Sequence, residues 1–270
     1  MLIDEENSVF QISDFVGNRG TYFAASATRG RWRDLLPSIS TNLKANENYL
    51  AFGGLVSENC EAPCVLILGA GELGEGISEL LKNTRITFVE SDVDFGPRVK
   101  LILDGHRIPF RDGMFDGVIA QAVLEHVVDP YQVVKEIHRV LKADGFVYAE
   151  TPFMQQVHGG RYDFTRFTHL GHRRLFRNFE ECSSGAVSGT GMAFAWSYKY
   201  FLRSLTRRRT LQQALVAFGA FTSFFWKYFD RRTITRPETL DGASGLYFLG
   251  RKSSNTLSDK ELIKLYRGAL

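Results

Sequence analysis

A glycine-rich turn follows a short apolar run in the first half of the chain. Residues 64–77 read CVLILGAGELGEGI, so Gly69, Gly71 and Gly74 come after four aliphatic side chains. Glycine lets the backbone turn tightly and approach a ligand closely, and a following helix offers unpaired N–H groups at its start. The pattern predicts a strand, a tight turn and a helix start that together bind a cofactor.

The glycine spacing by itself is compatible with two cofactors. It satisfies the G-x-G-x-x-G pattern of dinucleotide-binding turns, and an acid, Glu90, follows about 20 residues later, as in nicotinamide-binding units. A glycine-rich turn of the same general kind also opens S-adenosylmethionine sites. The neighbouring residues therefore have to decide between them.

The elements that must position such a site follow regularly from Cys64. Strand patterns lie at 65–69, 86–90, 100–103, 116–121 and 145–150, and helical patterns lie at about 73–82 and 130–141. Short apolar strands alternating with helices predict a parallel sheet covered on both faces, with ligands bound beyond the carboxyl ends of the strands. The candidate residues at those ends are Gly69 to Gly74, Glu90 with Asp92, Asp104, and Gln121 with Ala122.

The remaining chain is predicted to form three further parts. Residues 1–60 are predicted to be an N-terminal helical cap, with one or two short helices within Arg31–Leu43. The cofactor-binding core takes residues 61–192, and a helical insertion takes residues 193–242. Residues 243–270 hold the last strand and a C-terminal helix.

Composition and charge indicate an ordinary globular protein. Of the 270 residues, 44% are hydrophobic and 23% are charged, with a net charge of +3. The positive charge is scattered except at 207–209 and 231–232, so no nucleic-acid partner is predicted. The three cysteines form neither an even disulfide set nor a zinc-type pairing, and the acidic N-terminal residues are unlike a secretory signal. These features favour a cytoplasmic protein.

The segment from Asp104 to Gly145 decides between the two cofactors. It reads DGHRIPFRDGMFDGVIAQAVLEHVVDPYQVVKEIHRVLKADG. This resembles the class I S-adenosylmethionine-dependent methyltransferases, in particular the type 11-like subgroup, in which Leu-Glu-His follows the fourth strand. The resemblance covers roughly Val65 to Thr168. It implies a Rossmann-like α/β fold: a mostly parallel seven-stranded sheet with helices on both faces, the last strand antiparallel and a helical insertion before it. It also implies S-adenosylmethionine as the cofactor.

The resemblance also implies roles for the strand-end residues. Gly69, Ala70, Gly71 and Gly74 would contact the methionine part of the cofactor, with Gln121 and Ala122 beside them. Asp104 with Gly105 is similar to the family's adenine contact, although an aspartate that only forms a turn is the alternative. Two positions depart from the family pattern, since Ile67 replaces an acid and Leu73 replaces a glycine.

An acid at the end of the second strand would bind both ribose hydroxyls, because a carboxylate accepts two hydrogen bonds at once. Spacing favours Glu90, and the similarity of the D-V-D-F-G-P stretch favours Asp92. Both are candidates, with Glu90 slightly preferred.

The acceptor is expected beside the loop after the fifth strand. This loop, Thr151 to Thr168, reads TPFMQQVHGGRYDFTRFT and resembles the subgroup's Pro-Phe, histidine and D-x-x-R-F-T element. His158 is predicted to be the base that takes a proton from a hydroxyl acceptor, with Asp163 as the next candidate. The residues predicted to bind the acceptor are Glu125, His126, Tyr162 and Arg166. Structural roles remain open for Glu125 and His126, and an ion pair for Asp163 with Arg166.

The insertion contains a long aromatic helical pattern at 211–232, bounded by arginines. It is compatible with a helix pair packed over the active-site face, or with a peripheral membrane contact through aromatic and arginine side chains. A membrane-spanning helix is disfavoured because the apolar run is barely long enough.

The predicted activity is transfer of a methyl group to an O or N atom of a small-molecule acceptor, with a sugar or glycoconjugate hydroxyl as the first class. Neither a metal nor a covalent intermediate is implied. An NAD(P)-dependent oxidoreductase and a degenerate, non-catalytic binding domain remain as alternatives. The oligomeric state is left open.

Overall fold

The computed structural model of the protein describes residues 37–71 and 73–269. Seven strands of this part form one sheet in the order β3-β2-β1-β4-β5-β7-β6. The strands are β1 Cys64–Leu68, β2 Thr87–Asp92, β3 Leu101–Ile102, β4 Phe115–Gln121, β5 Leu141–Pro152, β6 Phe179–Ser188 and β7 Gly245–Lys252. The first five pair in parallel, whereas β7 runs antiparallel to both of its neighbours. The predicted fold class is confirmed.

The helices cover both faces of this sheet. They are α1 Ala45–Asn59, α2 Ile77–Leu80, α3 Pro130–Val140, α4 His169–Leu175, α5 Thr190–Ser204, α6 Arg209–Ser223, α7 Asp230–Thr233, α8 Pro237–Gly242 and α9 Asp259–Ile263. Short 3-10 turns lie at Gly160–Tyr162 and Phe224–Tyr228.

Alternation along the strands explains why both faces are covered. In β1, Val65 and Ile67 pack on one face with Phe52 of α1, while Leu66 and Leu68 pack on the other face, in the cluster that contains Val133 of α3. Successive side chains of a strand point to opposite faces, so a continuously apolar strand needs helices on both sides.

The first helix among the described residues begins after the predicted segment Arg31–Leu43, of which only 37–43 are described. Residues 37–43 form no helix, and α1 begins only at Ala45. Its Tyr49, Phe52 and Val56 are fully buried at helical spacing, because this stripe faces the sheet. The rest of the predicted cap, residues 1–36, lies outside the described residues.

The helix predicted at 73–82 is reduced to the single turn of α2. Gly76 precedes α2 with a φ of +92°, a left-handed conformation that cannot continue a right-handed helix. The turn after β1 is consequently longer than the pattern suggests, and it leaves more backbone at the carboxyl edge of the sheet.

Two polar residues of α3, within the segment that resembles the methyltransferases, bind the Ile-Pro-Phe stretch at 108–110. Arg139 donates to the carbonyl oxygens of Ile108 and Phe110, at 2.8 and 2.7 Å, and Glu136 accepts from the Ile108 N–H at 2.9 Å. Although burial alone would raise it, hydrogen bonds from Arg139 and the Ile108 N–H lower the pKa of Glu136. The Ile-Pro-Phe step and the end of α3 therefore form one unit.

The insertion before β7 begins with α5, three residues before the predicted start at 193. The continuous helix expected at 211–232 is divided among α6, the 3-10 turn and α7. Asp230 is fully buried, and its carboxylate accepts hydrogen bonds from the N–H groups of Gly191 and Met192, at 2.7 and 2.9 Å, at the start of α5. These hydrogen bonds compensate for the loss of water around the carboxylate. Within residues 37–71 and 73–269, no helix has the length and apolar character needed to cross a membrane.

Candidate active site

The turn after β1 brings backbone N–H groups against the end of β2. The Ala70 N–H donates to the Ser91 carbonyl at 2.9 Å, and the Gly71 N–H donates to Asp92 Oδ2 at 2.8 Å. A Cβ added at Gly71 would lie only 2.9 Å from that same Asp92 oxygen. Gly69 opens the turn with a φ of +79°. The predicted glycine turn and the acid of β2 are therefore in direct contact.

The two candidate ribose acids have different surroundings. Glu90 is buried, and its carboxylate is held by Arg98 Nε at 2.7 Å and Lys100 Nζ at 3.1 Å. Asp92 instead ends β2 beside Gly71. Because Glu90 already has two cationic partners and lies two residues inside the strand, we revise the preference from Glu90 to Asp92.

We predict that Asp92→Ala weakens binding of S-adenosylhomocysteine more than Glu90→Ala does. A hydrogen bond to a charged group contributes about 1.5–3 kcal/mol, so loss of one ribose contact corresponds to roughly 10- to 150-fold weaker binding. Titration calorimetry measures both variants, and thermal melting checks that each is folded. A larger loss for Glu90→Ala would return the ribose role to Glu90.

Asp104 is engaged in a turn. Its Oδ1 accepts from the His106 N–H at 2.9 Å and lies 2.6 Å from His106 Nδ1. A Cβ at Gly105 would lie 3.2 Å from Val133 Cγ1 of α3, so this glycine serves close packing. The turn-forming alternative is what the structure contains, and an adenine contact of Asp104 stays a prediction.

A polar network lies under the glycine turn at the ends of β4 and β5. A Cβ at Gly74 would overlap Gln121 Oε1, at 2.0 Å. Gln121 Oε1 accepts from the Tyr49 hydroxyl at 2.8 Å, and Gln121 Nε2 donates to Glu150 Oε2 at 2.8 Å. Asn42 Nδ2 also donates to that oxygen, at 2.7 Å. This network holds the side chain of Gln121 against Gly74.

Sequence reasoning missed Asn42, Tyr49 and Glu150 in this network. Glu150 closes the predicted fifth strand, so the strand-end rule that selected Gln121 could also have selected it. No comparable sequence signal marks Asn42, which lies just before α1, or Tyr49, which lies in α1. Burial raises the pKa of Glu150.

Ala122, the residue after β4, has a φ of 53°, in the left-handed region. Its N–H donates to the Glu150 carbonyl at 3.0 Å. Left-handed backbone is uncommon for a residue with a side chain, and such strain gathers at functional sites. This conformation supports the prediction that Gln121 and Ala122 belong to the ligand-binding carboxyl edge of the sheet.

Glu125 is fully buried in the turn after β4, in an unusual setting. Neither of its carboxylate oxygens has a hydrogen-bond partner among the described residues. Burial raises the pKa of Glu125 to about 8. Its backbone carbonyl accepts from the Phe164 N–H at 2.8 Å and the Thr165 N–H at 3.3 Å, which ties this turn to the loop after β5.

Two histidines face this carboxylate. His126 Nε2 lies 3.8 Å and His158 Nε2 lies 3.7 Å from Glu125 Oε1. The two imidazole rings are 5.1 Å apart and edge to face. We call Glu125, His126 and His158 the Glu-His-His cluster. It unites residues from the turn after β4 with one from the loop after β5, as the parallel pairing of these strands allows.

The carboxylate of Asp163 has several structural partners. It accepts from the N–H groups of His158 and Gly159, at 2.9 and 3.3 Å, and from Arg166 Nη2 at 2.8 Å. Although burial alone would raise it, these hydrogen bonds and the Arg166 charge hold the pKa of Asp163 far below its usual range. These contacts favour the ion pair with Arg166 that the sequence left open, and a catalytic role of Asp163 stays a prediction.

The other residues predicted to bind the acceptor also have structural partners. Arg166 pairs with Asp163 and donates from Nε to the Gln155 carbonyl at 3.0 Å. The Tyr162 carbonyl oxygen lies 2.8 Å from His126 Nδ1. Acceptor contacts of the Tyr162 and Arg166 side chains stay predictions.

The central part of the chain is similar to known methyltransferases. A family model described as a methyltransferase domain matches residues 78–149. The ubiquinone/menaquinone biosynthesis C-methyltransferase UbiE of Geotalea uraniireducens (strain Rf4) is 55% identical over 38 residues. That alignment covers 14% of this chain and 16% of the relative, so it spans only a small part of the relative's length.

Solved structures show a similar chain path at low identity. The Burkholderia thailandensis 1,6-didemethyltoxoflavin-N1-methyltransferase, with bound 1,6-didemethyltoxoflavin and S-adenosylhomocysteine, is 15% identical with a TM-score of 0.47, covering 94% of this chain and 92% of that one. The geranyl diphosphate C-methyltransferase of Streptomyces coelicolor A3(2) is 12% identical with a TM-score of 0.45, covering 76% and 75%. Both TM-scores are below 0.5, so neither likeness bears on the acceptor.

Proposed function

We propose that this chain, whose residues 78–149 match a methyltransferase domain, is a class I S-adenosylmethionine-dependent methyltransferase. We further propose that it transfers the cofactor's methyl group to a hydroxyl oxygen of a small-molecule acceptor, with sugars and glycoconjugates as the first acceptor class. The observation that carries this proposal is the position of the Glu-His-His cluster. It lies beyond the ends of β4 and β5, where ligands of parallel sheets bind.

The turn after β1 fits the cofactor on its own geometry. A Cβ at Gly71 or Gly74 would meet Asp92 or Gln121, so glycine at these positions lets the turn pack against the two side chains that we propose lie beside the cofactor. Asp92 would accept the ribose hydroxyls, and the backbone from Gly69 to Gly71 would contact the methionine part. Asp104 remains the residue proposed for the adenine.

The cluster fits an acceptor that must lose a proton. Bound S-adenosylmethionine supplies a methyl group activated by its positive sulfur, and an acceptor oxygen attacks that carbon in line. Alignment of the two reactants supplies a large part of the rate. A hydroxyl is a poor nucleophile until its proton leaves, and the Glu-His-His cluster places two imidazoles and a carboxylate together for that task.

Asp163 and Arg166 stabilise the loop that carries His158. The Asp163 carboxylate binds the His158 backbone N–H, while Arg166 neutralises the carboxylate. These contacts hold the loop in which His158 stands, so we propose that both residues position the cluster rather than react with the acceptor.

A peripheral membrane contact through 211–232 stays a prediction. Phe218, Phe221 and Phe229 are exposed, and the exposed Arg231 and Arg232 follow them. Aromatic rings beside arginines match the interfacial region of an anionic membrane.

Cofactor titration tests the proposal against its alternatives. We expect the purified protein to bind S-adenosylhomocysteine and not NADH in calorimetry. We also expect it to move labelled methyl groups onto members of a panel of sugars and glycosides, and not onto matched amines. Binding of NADH alone would favour an oxidoreductase, and binding of neither compound would favour a degenerate domain. Transfer to the amines alone would overturn the hydroxyl acceptor.

A further inference from the structure

We propose that Glu125, His126 and His158 bind one divalent transition-metal ion, for which Zn²⁺ is the best match. The ligand atoms are the carboxylate of Glu125 and the Nε2 atoms of the two histidines. Nothing in the sequence spacing predicts this site, because two ligands are adjacent in the chain and the third stands 32 residues after His126, in another loop.

The spacing of the three side chains suits a shared ion. Both Nε2 atoms point at the same carboxylate oxygen, at 3.8 and 3.7 Å, and ligand atoms of all three lie within 4.8 Å of one another. Zinc bonds nitrogen and oxygen ligands at about 2.0–2.2 Å, so two ligand atoms of one tetrahedral ion lie about 3.3–3.6 Å apart. The distances from Glu125 to the two histidines are close to this range, and the most widely separated ligand atoms would have to approach by up to about 1.5 Å.

The buried carboxylate supplies an independent observation. Glu125 is fully buried, and neither of its oxygens accepts a hydrogen bond from the part of the chain that the structure describes. The contacts to the histidines are too long for hydrogen bonds. Burying a carboxyl group without a hydrogen bond is costly, and burying its ionised form costs more unless it is paired or coordinates a metal. A cation between the imidazoles and Glu125 would give Glu125 Oε1 the partner that it lacks.

His126 is also oriented as a metal ligand is. Its Nδ1 lies 2.8 Å from the Tyr162 carbonyl oxygen, within hydrogen-bond distance, whereas the 3.6 Å between His158 Nδ1 and Asp163 Oδ2 is too long for a hydrogen bond. A neutral imidazole that presents Nδ1–H to an oxygen keeps the Nε2 lone pair free. Metal-binding histidines commonly present their second ring nitrogen to a carbonyl or carboxylate in this way.

The ligand set indicates which ions fit. Imidazole suits zinc and other first-row transition metals, whereas Mg²⁺ prefers oxygen ligands. Two histidines and one glutamate form a known catalytic zinc set, which leaves a coordination position for water or substrate.

The role of the ion rests on the proposed function. A hydroxyl oxygen on the cation becomes more acidic and releases its proton to solvent. The oxygen then bonds to the methyl carbon, and the carbon–sulfur bond breaks with its electron pair going to sulfur. In this arrangement His158 is a metal ligand instead of the base that its sequence position predicts.

Calorimetric titration of the full chain with Zn²⁺, and Co²⁺ absorption spectra, test the site. We expect one ion per chain, no comparable Mg²⁺ binding, and loss of that ion in Glu125→Gln and in His158→Ala. Asp163→Asn should weaken Zn²⁺ binding by about 10- to 100-fold, which is the usual effect of changing a residue that orients a metal ligand. His138→Ala is the matched control, because His138 hydrogen-bonds the Ser253 carbonyl outside the cluster.

Binding of Zn²⁺ that is unchanged in Glu125→Gln and His158→Ala, or no Zn²⁺ binding in the parent protein, would overturn the metal site. A parallel titration with S-adenosylhomocysteine separates this result from the proposed function. If S-adenosylhomocysteine binds and Zn²⁺ does not, only the metal site fails. If Zn²⁺ binds to the cluster and S-adenosylhomocysteine does not bind, only the methyltransferase proposal fails.

Discussion

The Gly71→Val variant is expected to remain folded and to lose measurable binding of S-adenosylhomocysteine. The added Cβ would lie 2.9 Å from Asp92 Oδ2, so valine has to displace the carboxylate that we assign to the ribose. Its two methyl groups would also occupy space through which the backbone approaches the cofactor. The obstructing atom belongs to a side chain at the edge of the sheet, so the fold can adjust while the site cannot.

Calorimetry with S-adenosylhomocysteine measures this loss, and circular dichroism with thermal melting verifies the fold. Gly54→Val is the matched control, because a Cβ at Gly54 meets no atom within 4 Å. We expect the control to bind like the parent protein. Unchanged affinity in a folded Gly71→Val variant would remove the glycine turn from the cofactor site.

The His158→Ala variant is expected to lower turnover of a hydroxyl acceptor by about 10²- to 10⁴-fold, which is the usual contribution of assisted proton removal. His158 stands 3.7 Å from Glu125 in the cluster, whereas the glycine turn contacts Asp92 and Gln121. Affinity for S-adenosylhomocysteine should therefore change little.

Transfer of labelled methyl groups to the best sugar or glycoside of the panel measures turnover, and calorimetry measures the cofactor affinity separately. His138→Ala again serves as the control, with turnover near that of the parent expected. A His158→Ala variant that methylates the hydroxyl acceptor at the parent rate would make the loop histidine structural and separate the cluster from the reaction.

The sequence was sufficient for the sheet and for most strand positions. Continuous apolar runs such as 65–68 can be buried only when both faces of a strand are covered, and this constraint is local. The segment from Asp104 to Gly145 was likewise sufficient for the resemblance to methyltransferases, and the methyltransferase-domain match at 78–149 supports that resemblance. Within this segment, Glu136 and Arg139 bind each other and nearby backbone.

Apolar spacing predicted helix positions less well where the backbone conformation of a single residue ended the helix. The helical pattern at 73–82 continues through Leu80 and Leu81, yet Gly76 adopts a left-handed conformation and leaves only a single turn. The short helices expected within Arg31–Leu43 do not occur in its described residues, 37–43, because the buried apolar stripe lies in α1.

The chemistry of the site was decided by the tertiary structure. Glu90 and Asp92 are equivalent by residue type, and only their partners, Arg98 and Lys100 against Gly71, distinguish them. The side chain of Asp163 could act as a catalytic acid or base, but its contacts with Arg166 and backbone N–H groups favour the positioning role that we propose.

The Glu-His-His cluster is the clearest example of this division. The sequence supplied each of its residues as a candidate, because each stands just beyond a recognisable strand. The two histidines come close to one oxygen of Glu125 only in the folded protein. This requires that β4 and β5 are parallel neighbours and that the loop after β5 folds back onto the turn after β4. Residue type and strand ends are local properties that a sequence displays, whereas distances between separate loops arise only when the sheet has assembled.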